Sequence, residues 1–186
     1  MIQFRAMSLH EIVLPETKPE TEWVRGRALR KVSPTYSHAR LQALIVMALT
    51  EWADAGDFGR VGSEWRFRVT PLGQMTRPLV PDVAYLSYEK LRRNAPSDVV
   101  EVPLAAPTLA VEILSPDDRA RDVDDKIATY LAAGSAVVVV VDPIAARFEV
   151  YDVAGRQTHS PGDVFCHDSL PGFTIDVAAL FARARR

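Results

Sequence analysis

The segment Ala136–Asp142, AVVVVVD, holds five valines in a row and constrains the fold more than any other stretch. β-Branched side chains are stiff and favour extended backbone. Successive residues of a strand point to opposite faces, so an all-valine strand must be covered on both. The run is far too short to cross a bilayer as a helix. It predicts a strand inside a sheet that has packing layers above and below. A second run of this kind, Thr108–Ser115 (TLAVEILS), carries one charge in its middle, Glu112. Alternation puts Ala110, Glu112 and Leu114 on one face and Val111 and Ile113 on the other. Burying an unpaired carboxylate is costly, so Glu112 needs either a partner or a task.

The other elements follow from periodicity. In SPTYSHARLQALIVMALTEWADAG, the residues Leu41, Leu44, Ile45, Ala48, Leu49 and Trp52 form the core stripe of an amphipathic helix. Ser33 is the expected N-cap, Pro34 the first helical residue and Gly56 the stop. SEWRFRVT reads as a half-buried strand, with Trp65, Phe67 and Val69 inward and Glu64, Arg66 and Arg68 outward. A loop with Gly73 and Pro78 leads to a strand in VPDVAYLS, and the helix-like YEKLRRN precedes the Glu112 strand. From Asp122, a repeat of Val123, Ile127 and Leu131 predicts a helix closed by Gly134. The valine strand is followed by a turn at Asp142-Pro143, an alternating strand in RFEVYD, and a tail, LPGFTIDVAALFARARR, that reads as a docking loop and a short helix. Helices and strands in this order predict an α/β protein with a mixed sheet flanked by helices. The 186 residues suit a single core.

Composition excludes several classes. Lys and Arg number 22 against 24 Asp and Glu, a formal charge of -2, so any polyanion surface must be a local patch. The basic candidates are scattered: Arg27, Arg30 and Lys31, then Arg92 and Arg93, then Arg119 and Arg121. The single cysteine, Cys166, cannot form an internal disulfide and is expected to be a small buried residue in a reducing compartment. The N-terminus lacks the unbroken apolar core of a signal peptide, so a cytoplasmic protein without a membrane span is expected.

Several residues could carry chemistry. Asp82, directly after Pro81, opens an apolar strand beside that of Glu112. Two carboxylates converging from adjacent strands repel one another unless a cation lies between them, and Mg²⁺ takes hard oxygen ligands of this kind. Asp82 could instead cap a turn after proline, and Glu112 could pair with an arginine. Lys126 shares a helix face with Asp122 at i−4 and Tyr130 at i+4. Close to both carboxylates, it could orient a metal-bound water or steady charge on phosphate; on a solvated face it would merely pair with Asp122. His38 lies at the inward edge of the first helix, as a core or capping histidine or as a site residue. Glu64 could face the site or solvate an outer face, and the outer face is the preferred reading.

VPDVAYLS, PTLAVEILSP, RDVDDKIATYLAAG, VVVVVDP with FEVYD, and LPGFTIDVAALF resemble, in order and spacing, the Uma-two family. This bacterial group is assigned an endonuclease role within the PD-(D/E)XK restriction-endonuclease-like superfamily. EWVRGRALRKVSPTYSHARLQALI and SEWRFRV are similar to the family's N-terminal portion, and the resemblance runs from Thr21 to Phe181. Residues 1–20 are then an N-terminal extension, 21–181 the domain and 182–186 a basic tail. The resemblance implies a restriction-endonuclease-like core in which Asp82 is the aspartate of the PD motif and Glu112 the acid of the (D/E)XK motif. Both would hold Mg²⁺, with Mn²⁺ as a substitute and the backbone carbonyl of Ile113 as a further ligand. Leu114 stands where the superfamily has lysine, and Lys126 matches a lysine that this family carries on the following helix. The strand after that helix has only valines where many members have an aromatic pair, a substitution suited to a buried strand.

The resemblance implies a metal-dependent endonuclease acting on nucleic acid, with DNA the first candidate. Lys126 would position the attacking water, and His38, Tyr130 and Asp122 would support the site. Cutting both strands of a duplex calls for two sites, which suggests a homodimer. The near-neutral charge favours the alternative, a catalytically silent nuclease-fold module that binds nucleic acid or a protein partner.

Overall fold

A computed structural model of the chain describes residues 11–14, 19–31 and 34–186. The valine strand, β8 (Val137–Asp142), does lie inside a six-stranded sheet of order β10-β9-β8-β7-β6-β3. The other strands of the sheet are β3 (Gly59–Ser63), β6 (Val83–Ser87), β7 (Leu109–Ile113), β9 (Arg147–Asp152) and β10 (Gly155–His159), with β7 and β9 flanking β8. β7 and β8 run parallel, with Glu112 opposite Val140, and every other pairing is antiparallel. The parallel pair requires a crossover, and helix α3 (Ala120–Ala132) provides it.

Alternation along the valine strand divides the core into two layers. Val137, Val139 and Val141 pack with Val111 and Ile113 against helices α1 (Tyr36–Gly56) and α4 (Val177–Ala184). Val138 and Val140 face the other way, with Ala110, against Ile127 and Tyr130 of α3. Two small hairpins complete that second layer: β1 (Thr21–Val24) with β2 (Arg27–Arg30), and β4 (Phe67–Val69) with β5 (Arg77–Leu79). A further pair, β11 (Val164–Phe165) with β12 (Ile175–Asp176), closes over the first layer. The result is a single mixed α/β domain with helices on its six-stranded sheet. Among the described residues no helix is long and apolar enough to cross a membrane.

The structure departs from the sequence reading in six places. Ser33 lies outside the described residues, and Thr35 caps α1 instead, its side chain accepting from the His38 amide. Thr35→Ala should cost about 1 kcal/mol of stability, measurable by urea denaturation. Gly56 is the last residue of α1, and the left-handed stop falls on Asp57, at φ 54°. The segment Tyr88–Asn94 forms turns rather than a helix, and the short helix α2 comes later, at Ser97–Glu101. The Arg60 guanidinium donates to the carbonyls of Leu91, Arg92 and Arg93, taking acceptors that a helix would have used.

The charged face expected on β4 is covered. Arg66 is buried against Glu20 at 2.7 Å, and Arg68 pairs with Glu11, so residues upstream of β1 lie on that face. Pro78, expected in a loop, is the central residue of β5. Cys166 is exposed, because Phe165 before it turns inward to the core.

Candidate active site

The two carboxylates meet because β6 and β7 are adjacent antiparallel strands, with Val83 opposite Val111. Asp82 therefore sits just before β6, beside the C-terminal end of β7. Contact is direct: Asp82 Oδ2 accepts from the Ile113 amide at 2.7 Å. His38 Nε2 lies 3.2 Å from the same oxygen, and Lys31 Nζ donates to Oδ1 at 2.6 Å. The Asp82 carbonyl accepts from Gln42 on α1 at 2.8 Å, so strand and helix jointly fix this residue.

Glu112 projects from the face of β7 that packs on α3, and it is 7% exposed. Lys126 Nζ reaches its Oε2 at 2.5 Å, and the Tyr130 hydroxyl donates to Oε1 at 3.1 Å. The i, i+4 spacing of Lys126 and Tyr130 stacks them on one helix face directly over the acid. Leu114 carries no amine, and Lys126 from the helix is the ammonium found at Glu112.

Asp122, one turn earlier on α3, does not pair with Lys126. It holds Arg27 at 2.8 Å and Arg25 at 3.3 Å, at the tip of the β1–β2 hairpin. That tip is a two-residue turn, Arg25-Gly26, with both residues at positive φ (48° and 73°), the conformation such tight hairpins require. Glu64 is exposed, and it also lines the cavity over the two carboxylates.

The hairpin also delivers two groups that the sequence reading did not place in the site. Glu22 on β1 is 3% exposed. Its Oε2 accepts from Lys126 Nζ at 3.1 Å and its Oε1 from the Val80 amide at 2.7 Å. Lys31, directly after β2, donates to the Val80 carbonyl at 3.0 Å as well as to Asp82. The available signal was the Arg25-Gly26 turn, which sets the register that pairs Glu22 with Leu29.

Three carboxylates and two ammoniums thus share one buried cluster. Burial pushes Asp82 up, but the His38 hydrogen bond and the Lys31 and Lys126 charges outweigh it and hold Asp82 well below the ordinary aspartate range. Burial likewise pulls the Lys126 ammonium down, and Glu112, Glu22 and Asp82 together raise it above its ordinary value. For Glu112, burial dominates and the Lys126 charge only partly opposes it. With Asp82 and Glu22 adding repulsion, Glu112 is pushed up to about 7. Burial also raises the Tyr130 hydroxyl, with Glu112 adding to the effect, which keeps it a donor.

The cluster forms the floor of a cavity of about 280 Å³, whose walls include Arg27, Arg30 and Arg119 and also Asp117 and Asp118. Among the described residues, no three His, Cys, Asp or Glu side chains are close enough to form a metal cage by themselves. Mg²⁺ does not need such a cage, since it commonly takes one or two carboxylates and keeps several waters. Hard oxygens and an open cavity make Asp82 and Glu112 a donor set suited to a divalent ion.

Comparison with known proteins agrees with this architecture. A family model described as Uma2, "Putative restriction endonuclease", matches residues 5–178. The fold is similar to the crystal structure of a "putative nuclease belonging to DUF820" from Anabaena variabilis ATCC 29413, with a TM-score of 0.81. Identity to that protein is 23%, over 92% of this chain and 94% of the other. No curated protein matches the chain.

Proposed function

The chain belongs to the Uma2 family, and from that premise we propose that it is an endonuclease hydrolysing phosphodiester bonds in nucleic acid, with DNA as the substrate. The observation that carries this reading is the meeting of Asp82 and Glu112 at the ends of adjacent strands, with the Lys126 ammonium on Glu112. Asp82 and Glu112 would hold Mg²⁺ or Mn²⁺, with the Ile113 carbonyl as a further ligand. A divalent ion there supplies a bound water of lowered pKa and offsets charge on the phosphate.

The chain's own groups do the rest. Lys126 orients the attacking water and stands ready for negative charge at the phosphate. Tyr130 keeps the Glu112 carboxylate turned to the cleft, as His38 and the Ile113 amide do for Asp82. Asp122 acts at one remove, by tying the hairpin tip to α3. Arg27, Arg30 and Arg119 on the walls can meet the backbone of a strand that enters the cleft. A pair of such chains would place one site on each strand of a duplex.

The test is nicking of supercoiled plasmid in Mg²⁺ or Mn²⁺. Asp82→Asn and Glu112→Gln keep size and most hydrogen bonds while removing charge, and each should lower cleavage by about 100-fold or more. Cleavage by both variants at the wild-type rate would overturn the assignment. The opposing reading is a silent module that binds nucleic acid or a protein partner. It draws on the fact that both carboxylates already have protein donors, Lys31 and Lys126 included. A calorimetric titration with Mn²⁺ separates the two readings, since the silent module takes up no metal at this site.

A further inference from the structure

Glu22 makes a contact pattern that ordinary hairpin packing does not require. Its Oε1 accepts from the amide of Val80, two residues before Asp82, and its Oε2 accepts from the Lys126 ammonium. One carboxylate therefore spans both halves of the site: the segment that carries Asp82 and the amine that serves Glu112. Each contact is buried, and Glu22 and Glu112 both hold the Lys126 Nζ, at 3.1 and 2.5 Å. Lysine carries a flexible four-carbon stem with three rotatable donors. With Glu112 alone as partner, the ammonium could swing about that single contact.

We propose that Glu22 is a positioning residue for Lys126, holding its ammonium at a set point between β1 and β7 while anchoring the Val80–Asp82 segment. This inference rests on the reading of the site as a phosphodiesterase. Glu22 acts through Lys126, and its two oxygens are already taken by the Val80 amide and the Lys126 ammonium. The hairpin β1–β2 is then a working part of the site rather than a cover over it. Its tip, clasped to Asp122 by Arg25 and Arg27, keeps Glu22 in register with α3.

Plasmid nicking in Mg²⁺ and calorimetric binding of Mn²⁺ test the proposal together. Glu22→Gln retains an oxygen for the Val80 amide but turns an NH₂ toward Lys126. It should lower kcat by about 100-fold, the scale of losing one preorganised electrostatic contact, with KM and Mn²⁺ affinity each within about threefold of wild type. In a Lys126→Gln background, adding Glu22→Gln should cost less than about threefold more, because a residue that works through Lys126 has nothing left to position. Glu22→Asp, with the charge kept and the reach one methylene shorter, should give an intermediate loss and serves if the glutamine variant does not fold.

Three results would overturn the proposal: a Glu22→Gln kcat within threefold of wild type, an equal loss with and without Lys126, or a tenfold loss of Mn²⁺ affinity that makes Glu22 a metal ligand. A wild-type protein that neither cleaves nor binds Mn²⁺ is a different outcome, and it overturns the phosphodiesterase reading and this inference together.

Discussion

Asp82→Ala should lower the stability of the folded protein by about 3–5 kcal/mol, the range for breaking one side of a buried ion pair. The loss has three sources. Lys31 is left with its ammonium beside a neutral methyl, and only the Val80 carbonyl remains to accept from it. The Ile113 amide loses its acceptor at the end of β7. His38 loses the Asp82 contact while its Nδ1 is already buried with no hydrogen-bond partner among the described residues. Urea denaturation at neutral pH would measure the change, with Asp82→Asn beside it. The asparagine keeps a carbonyl oxygen and should lose markedly less. Equal losses in both variants would mean that charge, not the hydrogen bonds, holds this corner together. A change below about 1 kcal/mol in the alanine variant would contradict the geometry outright.

Tyr130 sets the second large expectation, because it belongs to core and site at once. Its ring is fully buried among Val138, Val140 and Ala110, and its hydroxyl ends on Glu112. Tyr130→Ala removes the ring from a packed layer and should cost about 3–5 kcal/mol, as large aromatic truncations do. Tyr130→Phe keeps the ring and removes only the hydroxyl, at a cost of about 1–3 kcal/mol for leaving a buried carboxylate short of a donor. Paired denaturation curves give the difference, which isolates the packing contribution. Nicking assays on the phenylalanine variant, which keeps the packing, give the part played by the donor in aiming Glu112.

How much of this was legible in the chain depended on contrast. Glu112 and Asp82 stood out because each is a lone charge at or within an apolar run, where a carboxylate is conspicuous and must be explained. Lys126 could be read from its spacing to Tyr130 and from the short link between strand and helix. The two-layer core followed from the valines alone, since no half-exposed sheet accommodates them. Glu22 and Lys31 had no such contrast. They sit in TEWVRGRALRK, a stretch so rich in charge that one more acid or amine carries no signal. Their burial comes from tertiary docking against α3 and the Val80–Asp82 segment, which no local pattern encodes. The same gap explains Arg66 and Arg68, whose outward faces are covered by acids far upstream. It explains Tyr88–Asn94 as well, where one distant arginine, Arg60, overrides a local helical preference.

The contacts that complete the charge cluster are remote along the chain. Glu22 and Lys126 are 104 positions apart, and Lys31 and Asp82 are 51 apart. Closing loops of that length is entropically costly and comes late relative to local hairpins and helices. The strand and helix that bear Glu112 and Lys126 can form early, but the ammonium gains its second carboxylate only when the opening hairpin has docked. Cluster completion is thus a signature of finished folding. A chain nicked or stalled between the hairpin and α3 could keep much of its secondary structure while lacking the full arrangement. If the protein cuts nucleic acid as proposed, that ordering would restrict activity to molecules whose opening hairpin has already docked on α3.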